Sequence, residues 1–199
     1  MSEEPVFYFD LGSPYAYLAA QRIGRLMPSA RWQPILLGGL FKLSGRGSWS
    51  TAGAESRRAG IAEVERRAAT YGLPPVRWPD PWPGNMLTAM RAATYAAQQG
   101  RGVAFALAAF RRAFAAGEDL GRPEPLAAAA AEAGLDPGRV CVATREPALK
   151  DALRRATEDA HGRGVTGVPA VALGDRLYWG DDHLDAAASS LAATARVGG

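Results

Sequence analysis

Cysteine and histidine are scarce in this chain of 199 residues, which contains one cysteine and two histidines. Cys141 has no second cysteine to pair with, which excludes an intramolecular disulfide and a C-x-x-C redox pair. His161 and His183 are too few and too isolated for a zinc site, and we expect no metal, although the histidine count leaves a carboxylate-rich metal site open. The composition therefore argues against direct dithiol chemistry.

Long hydrophobic runs are also missing. The longest apolar segments, residues 103–110 and 126–131, are far shorter than the roughly 20 residues of a membrane-spanning helix. The acidic first residues lead straight into a predicted strand without a signal peptide, so we expect a cytoplasmic protein with no membrane partner. The net charge is only +3 and the arginines occur as scattered pairs, which argues against a nucleic-acid partner.

Both ends of the chain carry strand signals separated by helical periodicity. The N-terminal pattern predicts a strand, a helix and a second strand: residues 5–10, 15–26 and 31–37, ending at Gly38-Gly39. The C-terminal pattern predicts a β-hairpin and a closing helix: residues 170–173, 176–179 and 181–193. Pro34 inside the second strand favours an edge position for that strand.

Alanine-rich helical sequence fills the middle of the chain. Five stretches have helical periodicity: residues 62–71, 87–99, 103–116, 125–133 and 147–161. A Pro- and Trp-rich segment, residues 72–84, predicts an ordered loop that packs aromatic rings. The whole order predicts an α/β protein with a thioredoxin-like fold and a large all-helical insertion. Residues 1–40 and 164–199 would form the thioredoxin-like domain, and residues 41–163 the inserted helical domain.

Two short signals, far apart in the sequence, suggest a thiol-handling site. Ser13, followed by proline where the first strand runs into a helix, is a predicted N-cap, and a helix start favours a bound anion. Val168-Pro169 opens a strand near the other end, where thioredoxin-like folds carry a cis-proline loop. Ordinary capping and an ordinary X-Pro bond are the simpler alternatives for each signal alone.

Three pairs of segments together resemble one family, the kappa-class glutathione transferases and the 2-hydroxychromene-2-carboxylate isomerases, which share a DsbA-like fold. The resemblance covers nearly the whole chain. The segments are FYFD and SPYAYL at residues 7–10 and 13–18, LGGLFK and SG at 37–42 and 44–45, and GVP and WGDDHL at 167–169 and 179–184.

The resemblance implies a site for glutathione. Catalytic Ser13 would hydrogen-bond the glutathione sulfur, and the backbone of Val168, beside Pro169, would pair with the cysteinyl part. The γ-glutamyl group would bind at Gly180, Asp181, Asp182 and His183. The two aspartates would receive its ammonium group.

The substrate side is implied in the same way. Lys42 would face an acidic co-substrate, although it could be only a surface charge. Asn85 would line the pocket or simply start a helix. Asp181 is otherwise explained as an N-cap, and Tyr178 and Trp179 as hairpin core.

Two residues depart from the family pattern. His183 stands where the family often has an arginine, and Arg46 stands where the kappa class has an asparagine. Another low-molecular-weight thiol therefore stays open as the cofactor.

The activity implied is glutathione-dependent isomerisation of 2-hydroxychromene-2-carboxylate-type aromatic α-keto acids, by thiolate addition, bond rotation and elimination. Two alternatives stay open: a kappa-class glutathione transferase or peroxidase, and a non-catalytic DsbA-like protein that binds thiols or peptides. The resemblance also implies a homodimer.

Overall fold

The computed structural model describes residues 4–197, and side chains as far as residue 194. Its strands are β1 (Val6–Phe9), β2 (Arg31–Pro34), β3 (Ala170–Leu173) and β4 (Arg176–Trp179). They form one mixed sheet in the order β2, β1, β3, β4, in which only the β1–β2 pair is parallel. The edge position of β2 confirms the interpretation of Pro34.

Helices surround this sheet. Helix α1 (Pro14–Leu26) connects β1 to β2, and α9 (Leu184–Val197) follows β4 after a short 3-10 turn at Asp181–His183. Between β2 and β3 lie α2 (Leu37–Ser44), α3 (Ala54–Thr70), α4 (Leu87–Gln98), α5 (Gly102–Phe110), α6 (Pro123–Glu132), α7 (Pro137–Ala143) and α8 (Pro147–Gly162). Helix α5 continues as a π-helical stretch, Arg111–Ala116.

The central strand β1 is buried on both faces, as expected for a strand covered by helices on either side. On one face, the ring of Phe9 lies 5.9 Å from that of Phe110. Tyr17 of α1 lies 5.5 Å from Phe114, so the sheet, α1 and the middle helices share one hydrophobic cluster. The thioredoxin-like fold with many inserted helices is confirmed. The division into domains 1–40 with 164–199 and 41–163 stays a prediction.

The second strand was predicted too long. Instead of extending to residue 37, β2 ends at Pro34, and α2 runs through both glycines. The reason is that side chains distant in sequence take the next amides: the Leu36 N–H donates to Thr157 Oγ1 at 3.0 Å and the Leu37 N–H to Asp10 Oδ2 at 2.7 Å. These bonds satisfy the start of a helix instead of a strand ladder.

The Pro- and Trp-rich segment is an ordered aromatic loop, as predicted. The Trp82 ring is buried and lies 4.6 Å from Trp78 and 5.4 Å from Trp49. Its Nε1–H donates to the Gly12 carbonyl at 3.3 Å, which holds the loop against the end of β1. Across the described residues, no helix is both long and apolar enough to span a membrane.

Candidate active site

Helix α1 begins at a serine corner. Ser13 is the N-cap residue, and its Oγ accepts the Ala16 N–H at 3.2 Å. The hydroxyl also donates to the Val168 carbonyl at 3.4 Å, a long and therefore weak hydrogen bond. A ligand can take over this proton while the capping bond remains intact.

The loop before β3 faces this corner. The Val168–Pro169 peptide bond is cis, as predicted. The β3 ladder starts only at Ala170, which leaves the Val168 backbone outside it, where an extended ligand could pair. The Pro169 carbonyl accepts the Gly180 N–H at 2.9 Å, which ties this loop to the turn after β4.

A cavity of about 1050 Å³ is lined by both segments. Every site residue predicted from the sequence borders it: Ser13, Lys42, Asn85, Val168, Pro169, Gly180, Asp181, Asp182 and His183. The fold thus brings five separate parts of the sequence to one space. The roles of these residues stay predictions.

Asp10 is a buried carboxylate in the cavity wall that the sequence did not mark as functional. Its Oδ1 accepts the Gly12 N–H at 2.8 Å and its Oδ2 accepts the Leu37 N–H at 2.7 Å. Burial raises the pKa of Asp10 to about 6, although the two N–H donors limit the rise. The carboxylate links the serine corner to the first turn of α2.

Asp181 is fully buried, and its two oxygens are occupied by side chains of α3 and the residue after it. Arg67 Nη1 donates to Oδ1 at 2.9 Å, and the Tyr71 hydroxyl donates to Oδ2 at 2.8 Å. Burial raises the pKa of Asp181, while Tyr71 and Arg67 work against the rise. The N-cap of the 3-10 turn is Gly180, so the alternative of Asp181 as an N-cap was wrong.

Asp182 is the aspartate that stays open to a ligand, since its side chain is 48% exposed. Its carboxylate lies 3.2 Å from Arg67 Nη1 and 3.2 Å from His183 Nδ1. Partial burial disfavours the charged form, but Arg67 and His183 outweigh it and hold the pKa of Asp182 below its usual range. An ionised Asp182 suits a ligand's ammonium group.

Lys42 and Asn85 occupy the exposed rim of the cavity. Within the described side chains, the Lys42 ammonium forms no ion pair, which leaves its charge available to an acidic molecule. The Asn85 Oδ1 accepts the Leu87 N–H at 3.0 Å, so this residue also supports the start of α4.

Trp179 is 57% exposed, so its assignment to the hairpin core was wrong. Its ring borders the cavity, and the Arg46 guanidinium lies 5.7 Å from the ring centroid. Tyr178, in contrast, packs against the core.

The sequence analysis missed the side chains at the end of α3 that bind the Asp181 carboxylate. Glu63, Arg67 and Tyr71 are each four residues apart, a spacing that places them on one side of a helix. That signal indicates a polar face but not its partner, because Asp181 lies more than a hundred residues later. In the described part of the chain, no three His, Cys, Asp or Glu side chains group so that they could hold a metal ion.

Comparisons with known proteins place the chain in a family. The DsbA-like thioredoxin domain family matches residues 6–192. The 2-hydroxychromene-2-carboxylate isomerase of Sphingobium xenophagum is 32% identical over 187 residues, which cover 90% of this chain and 93% of that protein.

Solved structures show the same fold. A 2-hydroxychromene-2-carboxylate isomerase superposes with a TM-score of 0.87 and 25% identity, covering 98% of this chain and 97% of that one. A probable DsbA oxidoreductase from Streptomyces coelicolor superposes with a TM-score of 0.74 and 21% identity, covering 94% and 88%. The first match extends over nearly the whole chain, and the second shows the fold alone.

Proposed function

The chain belongs to the DsbA-like thioredoxin family, and on that basis we propose that it is a glutathione-dependent isomerase of 2-hydroxychromene-2-carboxylate-type aromatic α-keto acids. The observation that carries the proposal is Ser13 at the helix corner, facing the cis-proline loop across one cavity. The chain has no C-x-x-C pair, so thiol chemistry at this corner needs a sulfur supplied by a bound ligand.

Glutathione matches the groups around the cavity. Its sulfur would lie at Ser13, where the hydroxyl and the N-terminus of α1 favour a thiolate over a thiol. Its cysteinyl backbone would pair with Val168, and its ammonium group would bind Asp182. Asp181 would act through Arg67, which it holds beside Asp182.

The thiolate would act as a nucleophile that leaves again. It adds to the conjugated double bond of the ring-opened α-keto acid, forming a C–S bond and an enolate. The former double bond then rotates as a single bond. The enolate re-forms the double bond and expels the thiolate, so the cofactor is regenerated. A serine alkoxide is too poor a leaving group for this cycle, which assigns Ser13 the role of hydrogen-bond donor to sulfur.

The function is tested by following 2-hydroxychromene-2-carboxylate with the purified protein, with and without glutathione, while thiol is counted at the start and the end. We expect turnover that requires glutathione, saturates with it and leaves the thiol concentration unchanged. Cys141→Ala, which removes an exposed thiol, should retain this activity.

Other results would overturn the proposal. Thiol lost in proportion to product would indicate a transferase or peroxidase. Glutathione binding without turnover would indicate a binding protein. Turnover that occurs only with a different small thiol would identify that thiol, and not glutathione, as the cofactor.

A further inference from the structure

Two cations at the cavity lack a carboxylate partner among the described side chains. Lys42 lies in the last turn of α2, and Arg46 follows two residues after the helix ends. Arg67, by contrast, is paired with Glu63, Asp181 and Asp182. Lys42 and Arg46 therefore give this part of the cavity a positive charge that the protein leaves uncompensated.

Arg46 is held in place from both ends. Gly45 caps α2 in the left-handed conformation with a φ of 65°, and the Arg46 N–H donates to the Phe41 carbonyl at 3.1 Å. At the other end, Arg46 Nη1 donates to Thr166 Oγ1 at 2.8 Å. The guanidinium thus joins the end of α2 to the loop before β3, although the residue is exposed.

Trp179 provides a flat surface for this guanidinium. A Cβ at Gly167 would lie 2.6 Å from Trp179 Nε1, so the absence of a side chain there lets the indole approach the backbone. Thr166, Gly167 and Trp179 all border the cavity next to Val168. Arg46 is therefore oriented over the segment where the extended ligand would pair.

We propose that Arg46 binds a carboxylate of the molecules that enter this cavity, an inference that rests on the proposed function. Arg46 Nη1 is engaged by Thr166, while Nε and Nη2 have no partner among the described residues and can donate together to one carboxylate. Two carboxylates fit this chemistry, the glycyl carboxylate of glutathione and the carboxylate of the aromatic substrate.

The test compares Arg46→Gln with Arg176→Gln. Arg176 is a matched control, because it also bonds a hydroxyl, that of Ser190, and also lies over an aromatic ring, that of Tyr178, but does not border the cavity. Glutathione and its glycyl ethyl ester are titrated calorimetrically into each protein. The Michaelis constant for 2-hydroxychromene-2-carboxylate is then measured at saturating glutathione.

If Arg46 binds the glycyl carboxylate, Arg46→Gln should weaken glutathione binding about tenfold, the size of one lost charge-assisted hydrogen bond. The affinity for the glycyl ethyl ester should stay unchanged. If Arg46 binds the substrate carboxylate instead, Arg46→Gln should raise the Michaelis constant about tenfold and leave glutathione binding unchanged. Thr166→Val, which removes the hydroxyl that orients Arg46, should change the same quantity by a smaller factor.

If Arg46→Gln behaves like Arg176→Gln in both glutathione binding and the Michaelis constant, the inference is overturned and the proposed function stands. A wild-type protein that neither binds glutathione nor turns over the substrate overturns the function, and the inference with it.

Discussion

The Ser13 hydroxyl makes two hydrogen bonds in the structure. Its oxygen accepts the Ala16 N–H and caps α1, while its proton points to Val168 across the cavity. The sequence predicted the cap and the facing cis-proline loop, because capping depends on neighbouring residues and the loop carries its own proline signal, but it did not predict the bond to the Val168 carbonyl.

Ser13→Ala should lower glutathione-dependent turnover about 10²-fold, since one donor to the developing charge is lost. The variant also loses an N-cap, which costs about 0.5–2 kcal/mol of stability. Asp136→Ala is the control, because Asp136 caps α7 through the Arg139 N–H at 2.8 Å and does not border the cavity. Steady-state kinetics of both variants at saturating glutathione separate the two effects. Equal turnover in both would contradict the role of Ser13.

Asp10 should make stability depend on pH. Its pKa is about 6 in the folded protein, above the unfolded value, so its favourable contribution is complete below about pH 4 and is lost as the pH rises through 6. The loss amounts to up to about 3 kcal/mol for a shift of roughly two pKa units. Asp10→Asn cannot titrate, so its destabilisation relative to wild type should shrink between pH 4 and pH 7. Urea unfolding at both values measures this, and a constant difference would contradict it.

The residues missed by sequence reasoning share one property, which is that their partners are distant in the chain. Asp10 and Leu37 are 27 positions apart, and Arg67 and Asp181 are 114 apart. The position of the Trp179 indole likewise involves a distant residue, Gly167, where a Cβ would lie 2.6 Å from Trp179 Nε1. Local pattern supplies the residue type in each case but not the contact.

At the scale of elements, α2 shows how tertiary contacts override a local pattern. The sequence around residues 35–39 is apolar and contains two glycines, which favours a strand and a turn. Asp10 and Thr157 instead satisfy the first amides of a helix. That helix carries Lys42 to the cavity, so the error in the predicted strand was also an error about how this wall of the cavity is built.

Helix α3 is fixed to the turn after β4 by buried polar contacts. Arg67 and Tyr71 both bond Asp181, and Arg22 of α1 donates to the Asp181 carbonyl at 2.9 Å. The Arg22 guanidinium also lies 4.0 Å from the centre of the Tyr71 ring. Helices α1 and α3 and the turn after β4 therefore meet at one buried residue, Asp181, next to Asp182 in the chain.

Tyr71→Phe should lower the free energy of unfolding by about 1–3 kcal/mol, because it leaves a buried Asp181 oxygen without its donor. Tyr178→Phe is the matched control, since the buried Tyr178 hydroxyl has no hydrogen-bond partner among the described residues. Its removal should be neutral or slightly stabilising. Urea denaturation of both variants measures the difference, and equal losses would show that the bond to Asp181 contributes nothing.

At the scale of the whole molecule, the order of elements could be predicted because helices and strands carry their own periodicity and stop signals. These signals predicted the strands near both ends of the chain and the loop that contains Trp78 and Trp82. The cavity could not be predicted in the same way, because its walls come from α2, α3 and the loop before α4, whose relative positions depend on packing. The homodimer stays a prediction.

The cavity carries charges of opposite sign in two regions. Asp182 offers a negative group beside Arg67, and Lys42 and Arg46 offer positive charge at the end of α2. A ligand with an ammonium group and a carboxylate would satisfy both regions, and a thiol in the same ligand could lie at Ser13.

A thiolate at the Ser13 corner can be observed directly by titrating the ultraviolet absorbance of protein-bound glutathione with pH, using S-methylglutathione as the blank. Wild-type protein should give a midpoint well below about 8.5, the value of an unperturbed thiol, and Ser13→Ala a higher one. An unshifted midpoint in the wild-type protein would contradict a thiol cofactor activated at this corner.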